Sequence, residues 1–135
     1  MGLDQYFCKT KREEIGYFRK VNFLQKYFEW HAERDINCEY VRVTKEMAQE
    51  ILTACKDIIK YVSYPEKNSG EAPTWRQEAV DIAREKLPTQ DGFFYGGTDY
   101  DAWYFLDVKA VHDFLENLIE ETNWEKEVIE YTCWY

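Results

Sequence analysis

The chain has 135 residues, of which 45% are hydrophobic and 18% aromatic, and its 26 acidic and 17 basic residues give a net charge of −9. This length and composition are typical of one folded domain and exclude a disordered segment, so we expect a single domain spanning residues 1–135. The negative charge disfavours direct binding to nucleic acid or to anionic membranes, and no apolar run in the sequence is long enough to predict a membrane helix.

The cysteines predict a reducing compartment. No two of the four cysteines have CxxC spacing, and the chain has only two histidines, so no zinc-binding pattern can be written. The cysteines are Cys8, Cys38, Cys55 and Cys133. The N-terminal residues are charged before any apolar run develops, unlike a signal peptide. We therefore expect free thiols in a cytoplasmic monomer without metal or cofactor.

The N-terminal part predicts a strand and then a helix. Residues 2–8 contain strand-forming residues without helical periodicity, and residues 9–14 have the composition of a charged turn. Apolar residues then recur at helical spacing, which predicts an amphipathic helix of about four turns. Its stripe consists of Tyr17, Val21, Leu24 and Phe28, with Phe18 and His31 beside it.

The middle of the chain predicts a strand and a second helix. Residues 37–44 alternate between polar and apolar side chains, as a short strand does. Thr44 is then placed to cap the second helix, with Glu46 in its first turn. The apolar stripe of this helix consists of Met47, Ile51, Ala54 or Cys55, Ile58 and Val62.

A loop and a third, shorter helix follow. Residues 64–73 contain two prolines and a glycine between polar residues, which indicates a surface loop. Thr74 and Gln77 have the spacing of a capping box, in which each side chain bonds an amide at the helix start. We expect the helix to end before Pro88, because proline cannot continue it.

The last third predicts a strand, a long helix and a C-terminal strand. Phe93–Tyr95 is predicted to be a short strand between glycines. Thr98 or Asp99 is predicted to cap the long helix, with Asp101 in its first turn. The stripe of this helix consists of Tyr104, Val108, Val111, Leu115 and Leu118, and alternation in residues 126–135 predicts the final strand.

These elements predict an α+β fold. Their order is β-α-β-α-α-β-α-β, and several strands alternate polar with apolar residues, as in a sheet with one solvated face. We therefore predict a small, mainly antiparallel sheet of about four strands with about four helices packed against it.

The negative charge is concentrated towards the C-terminus. Residues 1–98 hold 16 acids and 15 bases, whereas residues 99–135 hold 10 acids and two bases. This distribution permits two interpretations: a binding surface for a basic partner, or a solvated helix face that keeps the protein soluble. The predicted acidic face of the long helix consists of Asp107, Asp113, Glu116 and Glu120.

The segment DGFFYGGTDYD is a second candidate site, because it combines glycines, aromatic rings and acids. A phosphate-binding loop ends in GKS or GKT, whereas this segment carries carboxylates there, and two carboxylates two residues apart are a weak cation-binding pattern. The segment indicates either a small-molecule pocket or simply a helix cap with a tight turn. The candidate residues are Phe94, Tyr95, Trp103, Asp99 and Asp101, joined by Arg19 and Lys20 if the two segments meet.

No residue set predicts catalysis. No serine nucleophile elbow, HExxH motif or nucleophile–base pair can be written. We therefore predict no catalytic residues.

Five segments resemble a group of small proteins that are encoded by bacteriophages and prophages and typically begin MGLDMY. They are MGLDQYF, EIGYFRKVNFLQKYF, NCEYVRV, LPTQDGFFYGGTDYDAWYF and EYTCWY, and together they span most of the chain. The chain departs from the group at Gln5, where Met is usual, and at Phe18, where Trp is usual. The resemblance implies a phage accessory protein made in the cytoplasm of a bacterial host, and it carries no catalytic residues.

Two hypotheses follow. In the first, the protein is a stoichiometric inhibitor whose acidic face binds a basic surface of a host defence protein, for example a nucleic-acid-handling complex of the CRISPR type. In the second, it binds or sequesters a small molecule such as a nucleotide through the aromatic–glycine loop, residues 91–103.

Overall fold

The computed structural model describes residues 2–9, 13–92 and 96–134. Within these ranges the chain forms six strands and four helices. They are β1 (Asp4–Lys9), β2 (Glu13–Arg19), α1 (Asn22–Ala32), β3 (Tyr40–Val43), α2 (Lys45–Ile59), β4 (Val62–Ser63), β5 (Thr74–Trp75), α3 (Gln77–Lys86), α4 (Ala102–Glu121) and β6 (Ile129–Trp134).

Four of the described strands form an antiparallel sheet in the order β2-β1-β6-β3. The last strand, β6, therefore lies in the middle of the sheet and joins the N-terminal hairpin to β3. The two short strands β4 and β5 pair separately. The predicted α+β fold, with a four-stranded antiparallel sheet and four helices, is confirmed for the described part of the chain.

One face of the sheet packs against helices and the other is open. On the packed face, Tyr131 is fully buried and its ring stacks on Phe28 of α1 with the centroids 4.3 Å apart. On the open face, Tyr6 contacts Tyr17 and Trp134 at centroid distances of 5.4 and 5.8 Å. Both partners of Tyr6 are about half exposed, so this face has the partial solvation that the alternating strands predicted.

The start of the first helix was predicted wrongly. Residues 13–19 form β2, an edge strand in a hairpin with β1, and α1 begins only at Asn22. Tyr17 therefore points to the open face of the sheet and does not belong to the helical stripe. Lys20 adopts a φ of 58°, which ends the strand and turns the chain into the helix.

A tertiary contact favours the strand at residues 13–19. Gly16 faces the Phe114 ring of α4, and a Cβ atom at this position would lie 2.4 Å from Phe114 Cε1. The close approach of α4 to β2 thus requires a residue without a side chain. The hairpin also places the Phe18 ring edge-on against Phe114, with the centroids 5.4 Å apart.

The second helix begins as predicted. Thr44 Oγ1 accepts a hydrogen bond from the amide of Met47 at 3.1 Å, and Glu46 lies in the first turn. Val62, which was assigned to the stripe of this helix, lies beyond its end and pairs with Trp75 in the β4–β5 ladder.

The predicted capping box before α3 is wrong. Thr74 belongs to β5, and α3 begins at Gln77 after Arg76, without a side-chain cap. Pairing with β4 holds Thr74 in a strand, too far before the helix for its hydroxyl to reach the cap position. The helix ends at Lys86, before Pro88, as predicted.

The cap of the long helix was predicted too early. Asp101, not Thr98 or Asp99, precedes α4, and its carboxylate accepts a hydrogen bond from the amide of Tyr104 at 3.1 Å. The short strand predicted at residues 93–95 lies outside the described residues.

Three of the four free cysteines are buried, and the exposed one is Cys38. In the described ranges, no helix has the length and apolar character needed to cross a membrane.

Candidate functional site

Two segments that are distant in sequence meet at a cleft of about 290 Å³. The turn between β2 and α1 forms one wall, and residues 96–101 together with the first half of α4 form the other. We call this site the junction cleft. Its chemically distinctive residues are Arg19, Lys20, Asp99, Asp101, Trp103 and Asp107.

Asn22 ties the two walls together. It is 4% exposed, and its side chain donates to the carbonyl of Gly97 at 2.9 Å and accepts from the amide of Gln90 at 3.1 Å. One buried amide side chain therefore bonds both Gln90, which follows α3, and Gly97, which precedes α4. This contact holds the glycine segment against the start of α1.

Gln5 fixes the cationic wall. Its fully buried side chain accepts a hydrogen bond from the amide of Val21 at 2.9 Å and donates to the carbonyl of Val21 at 3.0 Å. The amide of Lys20 donates to the carbonyl of Leu3 at 2.7 Å. These bonds define the turn from which the Arg19 and Lys20 side chains extend.

Gly96 allows the two walls to approach closely. Its φ of +86° is unfavourable for residues with a side chain. A Cβ atom there would also lie 3.3 Å from the Cβ atom of Lys20. Gly96 therefore packs against the aliphatic stem of the Lys20 side chain, and Lys20 lines the cleft.

Asp107 has an unusual environment on the opposite wall. It is half-buried, and burial, assisted by the negative charge of Asp101, raises its pKa to about 7. A carboxyl group that titrates near neutral pH exists both as a hydrogen-bond donor and as a pure acceptor. Such a perturbed group in a cleft is typical of a functional site.

Trp103 gives the cleft a stacking surface. Its side chain is 77% exposed, and it precedes Asp107 by four residues in α4, so the two lie one turn apart on the same helix face. An exposed indole beside a carboxyl group suits a flat ligand with hydrogen-bonding groups at its edge.

The remaining predicted acids, Asp113, Glu116 and Glu120, lie on the C-terminal half of α4, outside the junction cleft. Asp113 Oδ1 accepts hydrogen bonds from Lys109 Nζ and His112 Nδ1, each at 2.8 Å. Partial burial acts to raise the pKa of Asp113, but these two hydrogen bonds outweigh it and leave the pKa below its ordinary value.

Glu116 is also close to positively charged or ionisable groups. Its Oε2 atom lies 3.7 Å from His112 Nε2 and 4.0 Å from Lys56 Nζ, whereas Glu120 is exposed. The charge of the acidic face of α4 is therefore partly neutralised by nearby cations, and Asp107 lies in the junction cleft instead.

The structure thus brings Arg19 and Lys20 together with Asp99, Asp101 and Trp103, as the small-molecule hypothesis required. Asp107, predicted on the acidic face, also joins the cleft. Phe94 and Tyr95 lie outside the described residues.

Sequence reasoning missed the supporting roles of Gln5 and Asn22. Gln5 stands on the otherwise apolar side of β1, with Leu3 and Phe7, and Asn22 stands between the buried Val21 and Phe23. A polar residue in an apolar stripe is a signal for a buried hydrogen bond, although it does not identify the partner.

A larger groove of about 730 Å³ lies between α1, α2 and the end of α3. The Phe23, Ile51 and Leu87 side chains beneath it are at most 2% exposed, whereas the Trp30 side chain that also lines it is 77% exposed. Lys86 at its rim is paired with Asp57 at 2.8 Å. We consider the smaller cleft the better candidate, because two cationic residues, an exposed indole and a carboxyl group with a raised pKa line it together.

Among the described residues, no group of three or more His, Cys, Asp or Glu side chains is placed to hold a metal ion.

No protein-family model matches this chain, and comparisons with curated proteins and with solved structures find no similar protein. The phage or prophage origin and the host cytoplasm therefore stay predictions, and the function has to be inferred from the geometry of the site.

Proposed function

We propose that the protein binds or sequesters a small ring-containing anion of the nucleotide class in the junction cleft. The observation that carries the proposal is the convergence of Arg19 and Lys20 with Trp103 and Asp107 on one cavity of about 290 Å³. This volume lies just below the usual range for ligand pockets, roughly 300–1,000 Å³, which limits the ligand to about the size of one mononucleotide.

Each part of a nucleotide has a complementary group in the cleft. The guanidinium of Arg19 and the ammonium of Lys20 suit a phosphate, the first through paired hydrogen bonds and the second as a compact charge. The exposed Trp103 ring suits a stacked base. The carboxyl groups suit the amino and imino hydrogens at the edge of a base.

The three acids do not prevent an anion from binding. Asp101 is engaged in capping α4, and Asp99 is exposed, where water and salt screen its charge. Asp107 carries only part of its charge at neutral pH because its pKa is raised. The repulsion of a phosphate is therefore smaller than the number of carboxylates suggests.

The proposal is tested by calorimetric titration with AMP, GMP, CMP, UMP and inorganic phosphate at low ionic strength. We expect a nucleotide to bind more tightly than phosphate. The double variant Arg19→Ala/Lys20→Ala should weaken binding about tenfold or more, since hydrogen bonds to charged groups contribute about 1.5–3 kcal/mol.

A matched control removes two exposed cations elsewhere, in Lys45→Ala/Lys67→Ala. It should leave the affinity nearly unchanged. The proposal fails if no nucleotide binds at millimolar concentration, or if both double variants weaken binding equally.

We propose, as a second candidate, that the C-terminal half of α4 binds a basic surface of another protein, in keeping with the expected role as an inhibitor of a host defence protein. The supporting observation is that Asp113 and Glu116 keep more than half of their side-chain surface exposed and that Glu120 is exposed as well. Their charges would mainly steer association.

This second candidate is tested by capturing partners from bacterial lysate at low and high salt and measuring association rates with the captured protein. Reversing Asp113, Glu116 and Glu120 to Lys should slow association. The control reverses Glu66, Glu71 and Glu85, which are exposed and lie on a loop and on α3. Equal slowing by both triple variants would show that only net charge matters.

A further inference from the structure

We infer that the junction cleft reads the Watson–Crick edge of a purine base, with Trp103 as the stacking surface and Asp107 as the group that contacts the edge. This inference rests on the proposed nucleotide-binding function and deepens it by naming the base and the residue that selects it.

Asp107 is the carboxyl group best placed for this role. In the described part of the chain, Asp101 has the Tyr104 amide as a hydrogen-bond partner, whereas the carboxyl group of Asp107 has none. Asp107 is half-buried. Gln25 Oε1 is the one polar side-chain atom in the described residues that is both fully buried and without a hydrogen-bond partner. The unpartnered oxygens of Asp107 therefore keep some accessible surface. An unpartnered and accessible carboxyl group in a cleft is available to a ligand.

The helix geometry places ring and carboxyl group together. Trp103 and Asp107 lie four residues apart in α4, so their Cβ atoms are about 5–6 Å apart along one helix face. A base that stacks on the indole therefore extends its edge towards the carboxyl group. Arg19 and Lys20 lie across the cleft, where they face the phosphate end of the ligand.

The two protonation states of a carboxyl group select different purines. A protonated carboxyl group offers one donor and one acceptor, which matches the amino group and the N1 acceptor of adenine. An ionised carboxylate offers two acceptors, which matches the N1 hydrogen and the amino group of guanine. The same residue thus favours adenine when protonated and guanine when ionised.

Near neutral pH both states of Asp107 are populated, since burial and Asp101 raise its pKa to about 7. The other ionisable groups around it are Asp99, Arg19 and Lys20 in the cleft and Tyr104 of the same helix. The pKa of the Tyr104 phenol is raised well above its ordinary value by burial, so Tyr104 stays neutral while Asp107 titrates.

The selection has a measurable consequence. From pH 6 to pH 8 the affinity for AMP should fall while the affinity for GMP rises, because each nucleotide binds one protonation state of Asp107. If each binds its state exclusively, the ratio of the two dissociation constants changes by up to about 100-fold over this range. Titration of the phosphate is common to both nucleotides and cancels in the ratio.

The experiment measures dissociation constants for AMP and GMP at pH 6, 7 and 8 with wild type, Asp107→Asn and Asp113→Asn. The control Asp113→Asn removes a carboxylate from the same helix outside the cleft and should keep the wild-type pH trend. Asp107→Asn should lose the trend and prefer AMP at every pH, because an amide offers one donor and one acceptor to adenine. Trp103→Ala should weaken both nucleotides without changing the trend.

The outcomes separate this inference from the function on which it rests. The role of Asp107 is overturned if the ratio of the AMP and GMP dissociation constants does not change with pH, or if it changes equally in Asp107→Asn. In both cases the proposed nucleotide binding itself remains valid. If neither nucleotide binds the wild-type protein at any of the three pH values, the proposed function and this inference both fail.

Discussion

The two halves of α4 carry carboxyl groups in opposite electrostatic environments. In the first half, Asp107 is half-buried beside another acid, and its pKa rises to about 7. In the second half, Asp113 is exposed and hydrogen-bonded to Lys109 and His112, and its pKa falls below its ordinary value. The partners and burial of each group, rather than the number of acids along the helix, decide what an acidic segment can do.

The inner side of α4 does not show this difference. Phe105 and Val108 in the first half and Leu115 in the second half are all fully buried. Both halves are thus anchored in the same hydrophobic core, and the contrast belongs to the outer surface of the helix. The following predictions test this distinction.

The largest losses of stability should come from truncating core side chains of α4, and they should be similar in both halves of the helix. Phe105→Ala and Leu115→Ala should each lower the free energy of unfolding by roughly 2–5 kcal/mol, because each leaves a cavity in a packed core. Chemical denaturation measures the loss. Leu106→Ala is the control, since Leu106 is 42% exposed, and a comparable loss there would show that the packed face of α4 is misassigned.

The pH dependence of stability should have opposite signs in the two halves. Asp107 binds its proton more tightly in the folded protein than in the unfolded chain. Its contribution to the free energy of unfolding is therefore complete below the ordinary carboxyl pKa and is lost as the pH rises towards about 7. We expect wild type to lose on the order of 2 kcal/mol through this group between pH 4 and pH 7, and Asp107→Asn to remove that loss.

Asp113 should behave in the reverse way. Its folded pKa is lowered, so it stabilises the protein above the ordinary carboxyl pKa, and this contribution disappears as the pH falls through the lowered folded pKa. Urea denaturation of Asp107→Asn and Asp113→Asn at pH 3, 5 and 7 measures both effects. Equal pH profiles for the two variants would contradict the contrast between the halves.

A smaller effect should separate two neighbouring acids at the start of α4. Asp101→Ala should cost about 1 kcal/mol, because its carboxylate caps the Tyr104 amide. Asp99→Ala should change stability by less than about 0.5 kcal/mol, as an exposed substitution away from a cap does. If Asp99→Ala is the more damaging variant in thermal denaturation, the cap lies where the sequence pattern placed it.

The smallest effect is expected from divalent cations. Magnesium or calcium should leave the melting temperature unchanged, because the carboxyl groups of the cleft share it with Arg19 and Lys20, which oppose cation binding. A ligand that stabilises the folded state would raise the melting temperature with its concentration. A clear rise with either ion would convert the first half of α4 into a cation site.

Parts of the fold could be predicted because their signals are local. The strand at residues 4–9 follows from strand-forming residues without helical periodicity, and the strand at residues 129–134 follows from alternation. The cap of α2 follows from Thr44 and the amide three residues later. The strand β2 was missed because Tyr17 matched the helical spacing of Val21, although its pairing with β1 places it on the open face of the sheet. Gly16 indicates the β1–β2 pairing only when the packing of Phe114 against it is known, because that packing leaves no room for a side chain.

The sequence by itself determined the α+β class, the apolar stripe of α4, the uneven charge and five of the residues that line the cleft, Arg19, Lys20, Asp99, Asp101 and Trp103. Only the tertiary structure decided that the Asn22 side chain bonds the distant Gly97 carbonyl, that Arg19 and Trp103 line one cleft, and that Asp107 is half-buried. Helical periodicity and capping depend on neighbours within a few residues. Burial, and with it the pKa of a carboxyl group, depends on groups that only long-range packing brings together.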